Sequence, residues 1–235
     1  MPALAPSAVG AELLDDPSAD PRAVAESLHH IARANRWLGG TWAADWGLDR
    51  ALAGVAPGTE LSMLDIGTGL GDLPQAARRR AASRGIALRP AGLERSPVAA
   101  RLAAAGGLPM VIGDAGRLPF ADGSVDLVLV SQVAHHFAPE SAAELFRACD
   151  RVARRAVIVA DLRRSPLAAA GFPLAARLFG FDPVTTADGL TSIRRGYTRA
   201  ELAAILAMAG VAAEVRARPL WRIVAVWRPA AAAPP

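Results

Sequence analysis

The stretch with the most evident chemistry is LSMLDIGTGLGDLP, residues 61–74. Its apolar run ends at Asp65, and glycines follow at alternate positions: Gly67, Gly69 and Gly71. A buried strand that passes into such a turn lets the backbone come close to a ligand, because glycine has no side chain and tolerates unusual dihedral angles. The pattern predicts a ligand site at the carboxyl end of a parallel strand.

Two further carboxylates follow apolar runs later in the chain. Glu94 ends a second predicted strand and Asp114 ends a third. Since the carboxyl ends of parallel strands meet at one edge of a sheet, Asp65, Glu94 and Asp114 are expected beside the same ligand. A carboxylate after the second strand can accept hydrogen bonds from both hydroxyls of a ribose. A nucleoside-containing ligand is therefore predicted, and a purely structural turn with exposed strand-end acids is the alternative.

Proton transfer is indicated by His135 and His136, which follow a fourth predicted strand, and by Asp161, which ends the fifth. An imidazole can remove a proton near neutral pH, and a neighbouring carboxylate fixes its tautomer. We predict that one of the two histidines, with His135 favoured, is a base oriented by Asp161; simple packing is the alternative. No metal site is predicted, because the histidines form two adjacent pairs, and adjacent residues do not share a helical face.

The D-x-G-x-G-x-G spacing of residues 65–71 differs from the G-x-G-x-x-G fingerprint of dinucleotide-binding proteins. It resembles motif I of the class I S-adenosylmethionine-dependent methyltransferases. The stretches IGDAGRLPFADGSVDLVLV (112–130) and SQVAHHF (131–137) are similar to the family's small-molecule branch, which includes quinone-biosynthesis and natural-product methyltransferases. The resemblance implies S-adenosyl-L-methionine as cofactor. The residues that it assigns to cofactor binding are Asp65, Gly67, Thr68, Gly69, Gly71, Glu94, Arg95, Asp114, Ala115, Ser131 and Gln132.

The same resemblance implies where parts of the cofactor lie and what the protein does. Asp65 would be beside the methionine end and Asp114 beside the adenine amino group. The chain lacks the Asn-Pro-Pro-Tyr motif of amino-group methyltransferases, so amide nitrogen acceptors are disfavoured. We expect methyl transfer to a small, partly apolar acceptor of phenolic, quinone-like or polyketide-like type, with oxygen as the receiving atom. Methylation at carbon and a noncatalytic, cofactor-binding partner subunit are the alternatives.

The elements that would position these residues follow from hydrophobic periodicity. Strands and helices alternate from residue 61, which predicts an α/β fold with a doubly wound, mostly parallel sheet; seven strands complete the Rossmann-like methyltransferase fold. The predicted strands are 61–66, 86–93, 108–113, 125–131, 156–161, 212–217 and 220–228. The predicted domains are a flexible tail (1–19), a helical lid (20–56), the cofactor-binding domain (57–229) with a substrate cap (162–197), and a second tail (230–235).

Two segments are candidates for the mouth of the site. Arg194 or Arg195 could hold an anionic acceptor group, although a solvated arginine pair is the alternative. Arg33, Asn35 and Trp37 could seal the cofactor from above, although Trp37 alone is equally typical of a core residue.

Composition restricts the class of protein. The 235 residues are 52% hydrophobic and 20% charged, as in a folded domain. Every basic residue that contributes to the net charge of +4 is arginine, and the arginines are scattered without interleaved aromatic residues, so nucleic acid binding is not predicted. No membrane span or signal peptide is evident, which favours the cytoplasm. The single cysteine, Cys149, is predicted to be core, and a monomer or homodimer is expected.

Overall fold

The structure is a computed structural model that describes residues 10, 12–16 and 18–229. It contains a seven-stranded sheet of order β3-β2-β1-β4-β5-β7-β6. The strands are β1 (Glu60–Ile66), β2 (Ala87–Glu94), β3 (Met110–Ile112), β4 (Val125–Ser131), β5 (Ala153–Leu162), β6 (Glu214–Arg218) and β7 (Arg222–Trp227). The first five are parallel, and β7 and β6 form an antiparallel hairpin at one edge. The predicted doubly wound, mostly parallel sheet is confirmed.

Helices cover both faces of this sheet. They are α1 (Pro21–Trp37), α2 (Gly40–Ala51), α3 (Asp72–Ala82), α4 (Pro97–Ala105), α5 (Pro139–Val152), α6 (Pro166–Leu178), α7 (Pro183–Arg195) and α8 (Arg199–Met208). Alternate residues of β5 point to opposite faces: Val157 and Val159 pack with α5 and α8, whereas Ile158 packs with α2 and α3. Cys149 of α5 is buried in the first of these cores, as predicted.

Local capping signals place several helix starts. The side chain of Asp20 accepts a hydrogen bond from the backbone N–H of Arg22 at 2.9 Å, and Thr198 forms a capping box with Glu201. The region 162–197, predicted as an irregular or helical cap, folds into α6 and α7, each of which begins with proline at its first position.

The two amino-terminal helices occupy different places. α2 buries Ala43 and Leu48 against the sheet, and a Cβ on its Gly47 would come within 2.4 Å of Ile158 Cγ2. α1 instead borders the cavity described below, to which it contributes Val24 and Leu28. Only α1 of the predicted lid is therefore positioned over the ligand site.

The predicted tails are only partly described. Residues 1–9, 11, 17 and 230–235 lie outside the described residues, whereas 12–16 are described and pack against the site. Among the described helices, none has the length and apolar character needed to cross a membrane.

Candidate functional site

A cavity of about 1080 Å³ opens where the carboxyl ends of β1, β2 and β4 meet. Its walls are the glycine turn after β1, the helices α1, α6 and α7, and the turn after β4. All of the predicted catalytic and cofactor-binding residues line this cavity except Gly71 and Asp161. The structure therefore brings together residues that are up to 71 positions apart between Asp65 and His136.

The three glycines of the turn have different structural roles. All have positive φ angles, of 69° at Gly67, 54° at Gly69 and 76° at Gly71. A Cβ at Gly67 would come within 2.2 Å of Val133 Cγ2, so this glycine permits close packing. Gly71 is the N-cap of α3. A Cβ at Gly69 would meet only Leu28 Cδ2, at 3.4 Å, which leaves Gly69 as the position where backbone lies open to a ligand.

Asp65 is a buried carboxylate with one unsatisfied oxygen. Its side chain is 2% exposed; Oδ2 accepts a hydrogen bond from Thr68 Oγ1 at 2.5 Å, and Oδ1 has no partner among the described residues. Burial raises the pKa of Asp65 to about 8, with Asp72 and Glu94 adding to the effect and Thr68 opposing it. An ionised carboxylate in this position lacks a cation, and a positively charged ligand group would supply one.

The two other strand-end acids differ from Asp65 in exposure. Glu94 Oε2 accepts the backbone N–H of Gly69 and Oε1 that of Ser96, both at 3.0 Å, so Glu94 ties the glycine turn to the start of α4. Each oxygen keeps a second lone pair for a ligand hydroxyl. Asp114 is exposed and accepts the N–H of Gly116 at 2.8 Å. The three acids thus follow the cavity wall in the order of β1, β2 and β3.

A chain of polar side chains connects α1 to the floor of the cavity. Gln132, which has a φ of 55°, donates from Nε2 to Asn35 Oδ1 at 2.5 Å and accepts from Arg222 Nη1 at 3.0 Å. Asn35 in turn donates to Asp72 Oδ2 at 3.0 Å. Of the three residues considered as a seal, only Asn35 lines the cavity; Trp37 is 55% exposed and is not core.

Arg222 is a cavity residue that the sequence did not identify. It is buried at the start of β7 and makes no salt bridge with any described carboxylate. Burial lowers the pKa of Arg222 to about 10, and the charge of Asp161 partly opposes that shift. A buried guanidinium of this kind favours an anionic ligand group nearby.

His135 and Asp161 form a buried pair. His135 Nδ1 lies 2.7 Å from Asp161 Oδ1, and the backbone N–H of His135 donates to Oδ2 at 3.1 Å. Burial raises the pKa of Asp161, but His135 and the backbone donors lower it by more, so the pKa of this carboxyl lies below its ordinary range. His135 Nε2 is buried and has no hydrogen-bond partner among the described residues. Asp161 therefore orients the histidine through Nδ1, and Nε2 is left without a hydrogen bond.

The described residues 12–16 close one side of the cavity. Arg195 Nη1 donates to Glu12 Oε1 and to Asp15 Oδ2, both at 3.1 Å, and Asp15 Oδ1 lies 3.1 Å from His136 Nδ1. Arg195 is thus occupied by two carboxylates, and Arg194 is exposed and does not line the cavity. The expectation that either arginine holds an anionic acceptor is wrong, because internal acids already satisfy the buried one.

The residues present fit S-adenosyl-L-methionine. Its sulfonium and ammonium groups are cations that match the unsatisfied Asp65 Oδ1, and Gly69 leaves open backbone beside them. Glu94 offers acceptors for ribose hydroxyls, and Arg222 offers a buried cation for the carboxylate. These side chains thus offer a group of opposite charge both to the positive end of the cofactor and to its carboxylate.

Comparisons with known proteins agree with this geometry. Residues 64–160 match the methyltransferase domain family. Solved structures with a similar fold include an S-adenosylmethionine-dependent methyltransferase from Aquifex aeolicus (15% identity, TM-score 0.59, 89% of this chain and 98% of that one). Another is magnesium protoporphyrin IX methyltransferase from Synechocystis with bound S-adenosylhomocysteine (17%, 0.55, 81% and 83%). A third is a chain of the complex between the Haloferax volcanii Trm112 methyltransferase activator and a methyltransferase (18%, 0.56, 86% and 97%).

No curated protein sequence is significantly similar to the chain. The domain match spans the glycine turn, the three acidic strand ends and the turn that carries the histidines. Residues 64–160 therefore form a methyltransferase domain with S-adenosyl-L-methionine as its cofactor, and the strand order of the sheet and the fit of the cavity agree with that assignment.

Proposed function

We propose that the enzyme methylates an oxygen atom of a small, partly apolar acceptor of phenolic, quinone-like or polyketide-like type, and that His135 accepts the proton of that oxygen. The observation that carries the proposal is the buried, unpartnered Nε2 of His135 in a cavity wall, with Nδ1 fixed by Asp161 at 2.7 Å. S-adenosyl-L-methionine supplies the electrophilic methyl group when it is bound. The protein's part is alignment, exclusion of water and removal of a proton.

The acceptor chamber lies between α1, α6 and α7 and is rich in aromatic side chains. Phe172 and Phe181 line it with ring centroids 6.4 Å apart, and His30 stacks on Phe181 at 5.3 Å. His30 Nδ1 also lies 2.9 Å from Asp182 Oδ2 at the start of α7, which ties this wall to α1. Aromatic walls of this kind favour a planar or aliphatic ring over a nucleic acid strand.

His135 is suited to act on a hydroxyl group. The carboxylate at Nδ1 holds the tautomer in which Nδ1 carries the hydrogen, so the Nε2 lone pair can accept a proton. His136 Nδ1 contacts Asp15 and the ring is partly exposed, which supports a secondary role. Transfer to oxygen releases the hydroxyl proton, which His135 would accept; transfer to a ring carbon releases the ring proton instead and is the alternative that the labelling experiment in the Discussion distinguishes.

We assign the cofactor-binding roles in the same way. Asp65 would hold the positive end of the methionine portion, Glu94 the ribose and Asp114 the adenine amino group. The remaining predicted residues that line the cavity would contribute backbone and van der Waals contacts: Gly67, Thr68, Gly69, Arg95, Ala115, Ser131 and Gln132. Gly71 lies outside the lining, so its proposed contribution is to start α3.

The decisive variants are His135→Ala and Asp161→Asn, with His29→Ala, at an exposed histidine, as the control. General-base assistance is worth typically ~10²–10⁴ in rate, so His135→Ala should lower turnover by that range on a phenol of high pKa. Asp161→Asn should have a smaller effect, because it keeps the imidazole. A phenol of low pKa should escape most of the loss, since its oxygen ionises unaided.

Binding of S-adenosylhomocysteine, measured by calorimetry, checks that each variant is folded. Unchanged turnover of His135→Ala on the high-pKa phenol, with cofactor binding intact, would exclude His135 as the proton acceptor. An equal loss on phenols of high and low pKa would mean that the side chain acts through packing.

A further inference from the structure

We infer that Glu12, His135 and His136 form a binding site for a divalent transition-metal ion of the Zn²⁺ class. The ion would use the same Nε2 lone pair of His135 that accepts the proton in the proposed reaction, so ion binding would compete with proton transfer. His135 Nε2 lies 3.9 Å from Glu12 Oε1, and His136 Nε2 lies 3.9 Å from Glu12 Oε2. One donor atom from each residue lies within 4.8 Å of the other two.

The adjacency of the two histidines does not separate them, contrary to the argument made from sequence. They lie in a 3-10 turn, Ala134–His136, and not in an α-helix. Their ring centroids are 4.3 Å apart. In a 3-10 turn followed by an extended residue, both rings can face the same carboxylate, and here that carboxylate is Glu12.

The outer contact of His135 is that of a metal ligand, since its Nδ1 is held by Asp161 at 2.7 Å. His136 Nδ1 lies 3.1 Å from Asp15 Oδ1 and 3.2 Å from Arg195 Nη1. A carboxylate at Nδ1 turns the lone pair of Nε2 toward an ion, and this pairing accompanies most histidine ligands in metalloproteins. The buried His135 Nε2 has no other partner among the described residues, so an ion would satisfy it.

The charges of the cluster also favour a divalent ion. Three carboxylates, those of Glu12, Asp15 and Asp161, surround the histidines; Arg195 pairs with the first two, and the charge of Asp161 also acts on the buried Arg222. With neutral imidazoles the carboxylates outnumber these two cations, so the cluster keeps a negative charge that a bound cation would offset. Arg195 contacts Glu12 Oε1, which leaves Oε2 facing His136. Nitrogen and carboxylate donors suit Zn²⁺ and its neighbours better than Mg²⁺ or Ca²⁺.

The donor atoms must approach one another to close the site. Metal–ligand bonds of about 2.1 Å place tetrahedral donor atoms about 3.4 Å apart, whereas the two separations from Glu12 are 3.9 Å and all three donor atoms lie within 4.8 Å of one another. All three ligands line the cavity, so the fourth position would face the acceptor chamber. A site with three protein ligands and one open position is typical of a functional ion rather than a structural one.

The test is a titration of chelator-stripped protein with Zn²⁺ by calorimetry and with Co²⁺ by visible absorption. We expect one saturable site that Glu12→Gln and His136→Gln each weaken by more than tenfold. Asp15→Asn should weaken it by ~10–100-fold, the effect of losing an outer partner. His29→Gln makes the same change on an exposed histidine and should leave the affinity unaltered.

Binding of S-adenosylhomocysteine verifies that each variant is folded. If loss of the Glu12 charge prevents folding, the ion affinity of Asp15→Asn still tests the inference. The inference is overturned if the wild type shows no saturable binding, or if it and the folded ligand variants bind the ion equally well. Methyl transfer is measured separately in the presence of a chelator, so failure of the ion site leaves the proposed function standing.

Discussion

Replacing Asp65 with asparagine should stabilise the cofactor-free protein near neutral pH and abolish cofactor binding. The carboxyl is 2% exposed, its Oδ1 has no partner among the described residues, and burial raises its pKa to about 8. A group whose pKa is raised by folding contributes stability that is fully present below its unfolded pKa and is lost as pH rises towards the folded value. The wild-type protein should therefore lose folding stability between pH 4 and 8, because Asp65 ionises in a buried position that has no cation until the cofactor binds.

The size of the effect follows from the pKa. A pH of 7 is about three units above 3.8, the ordinary pKa of an aspartate carboxyl group. At ~1.4 kcal/mol per unit, the upper limit is about 4 kcal/mol. The asparagine amide leaves an unsatisfied donor that costs ~1–3 kcal/mol, so the net gain is about 1–3 kcal/mol. For a domain of this size each kcal/mol raises the Tm by ~2–4 °C.

The assay is urea unfolding from pH 5 to 8.5, with calorimetric titration of S-adenosylhomocysteine. The matched control for the unfolding measurements is Asp114→Asn, which removes an exposed carboxyl from the same sheet edge. The stability difference between Asp65→Asn and wild type should grow with pH and level off above about 8. A difference that does not depend on pH, or an Asp65→Asn protein that binds the cofactor product normally, would refute the assignment.

Three further variants or measurements address the glycine turn, the chamber and the lid. Gly69→Ala and Gly54→Ala should each cost ~1–2 kcal/mol of stability, because both positions have positive φ. Calorimetry should detect loss of cofactor binding only for Gly69→Ala, and an equal loss for both variants would refute close approach of the cofactor to the backbone of Gly69. Gly171→Leu should exclude bulky acceptors in turnover assays while cofactor binding persists, because Gly171 lines the cavity and nothing lies within 4 Å of its Cβ position. Ala170→Leu, outside the lining, is the control, and equal acceptor profiles for the two variants would contradict the placement of the acceptor beside Gly171. Amide hydrogen exchange should slow in α1 on cofactor binding and stay unchanged in α2. If neither helix gains protection, α1 has only a packing role and does not close over the cofactor.

Much of the fold was predictable because its signals are local. Helix starts at Asp20 and Thr198 follow from capping side chains, and the strands follow from short apolar runs that end in glycine or an acid. Both bounds of β3 were less predictable, since the strand is Met110–Ile112 and not 108–113. Pro173, inside α6, obscured the helical period of the cap region.

The missed parts of the site depend on contacts between distant residues. Glu12 reaches Arg195 across 183 positions, and Arg222 reaches Gln132 across 90. No periodicity or spacing encodes such pairs, and an Ala/Pro-rich amino terminus is typical of a tail. The grouping of Glu12 with His135 and His136 has no sequence signature either, because it depends on the 3-10 turn at Ala134–His136.

Methyl transfer to oxygen can be tested most directly with S-adenosyl-L-methionine that carries ¹³C in its methyl group. The enzyme is incubated with phenols, quinones and polyketide-like compounds, and the products are analysed by mass spectrometry and carbon NMR. We predict a product that gains one labelled methyl bonded to oxygen, formed by the wild type and lost with Gly69→Ala. A label bonded to ring carbon, or no labelled product from any acceptor while the protein binds the cofactor, would contradict O-methylation of such acceptors.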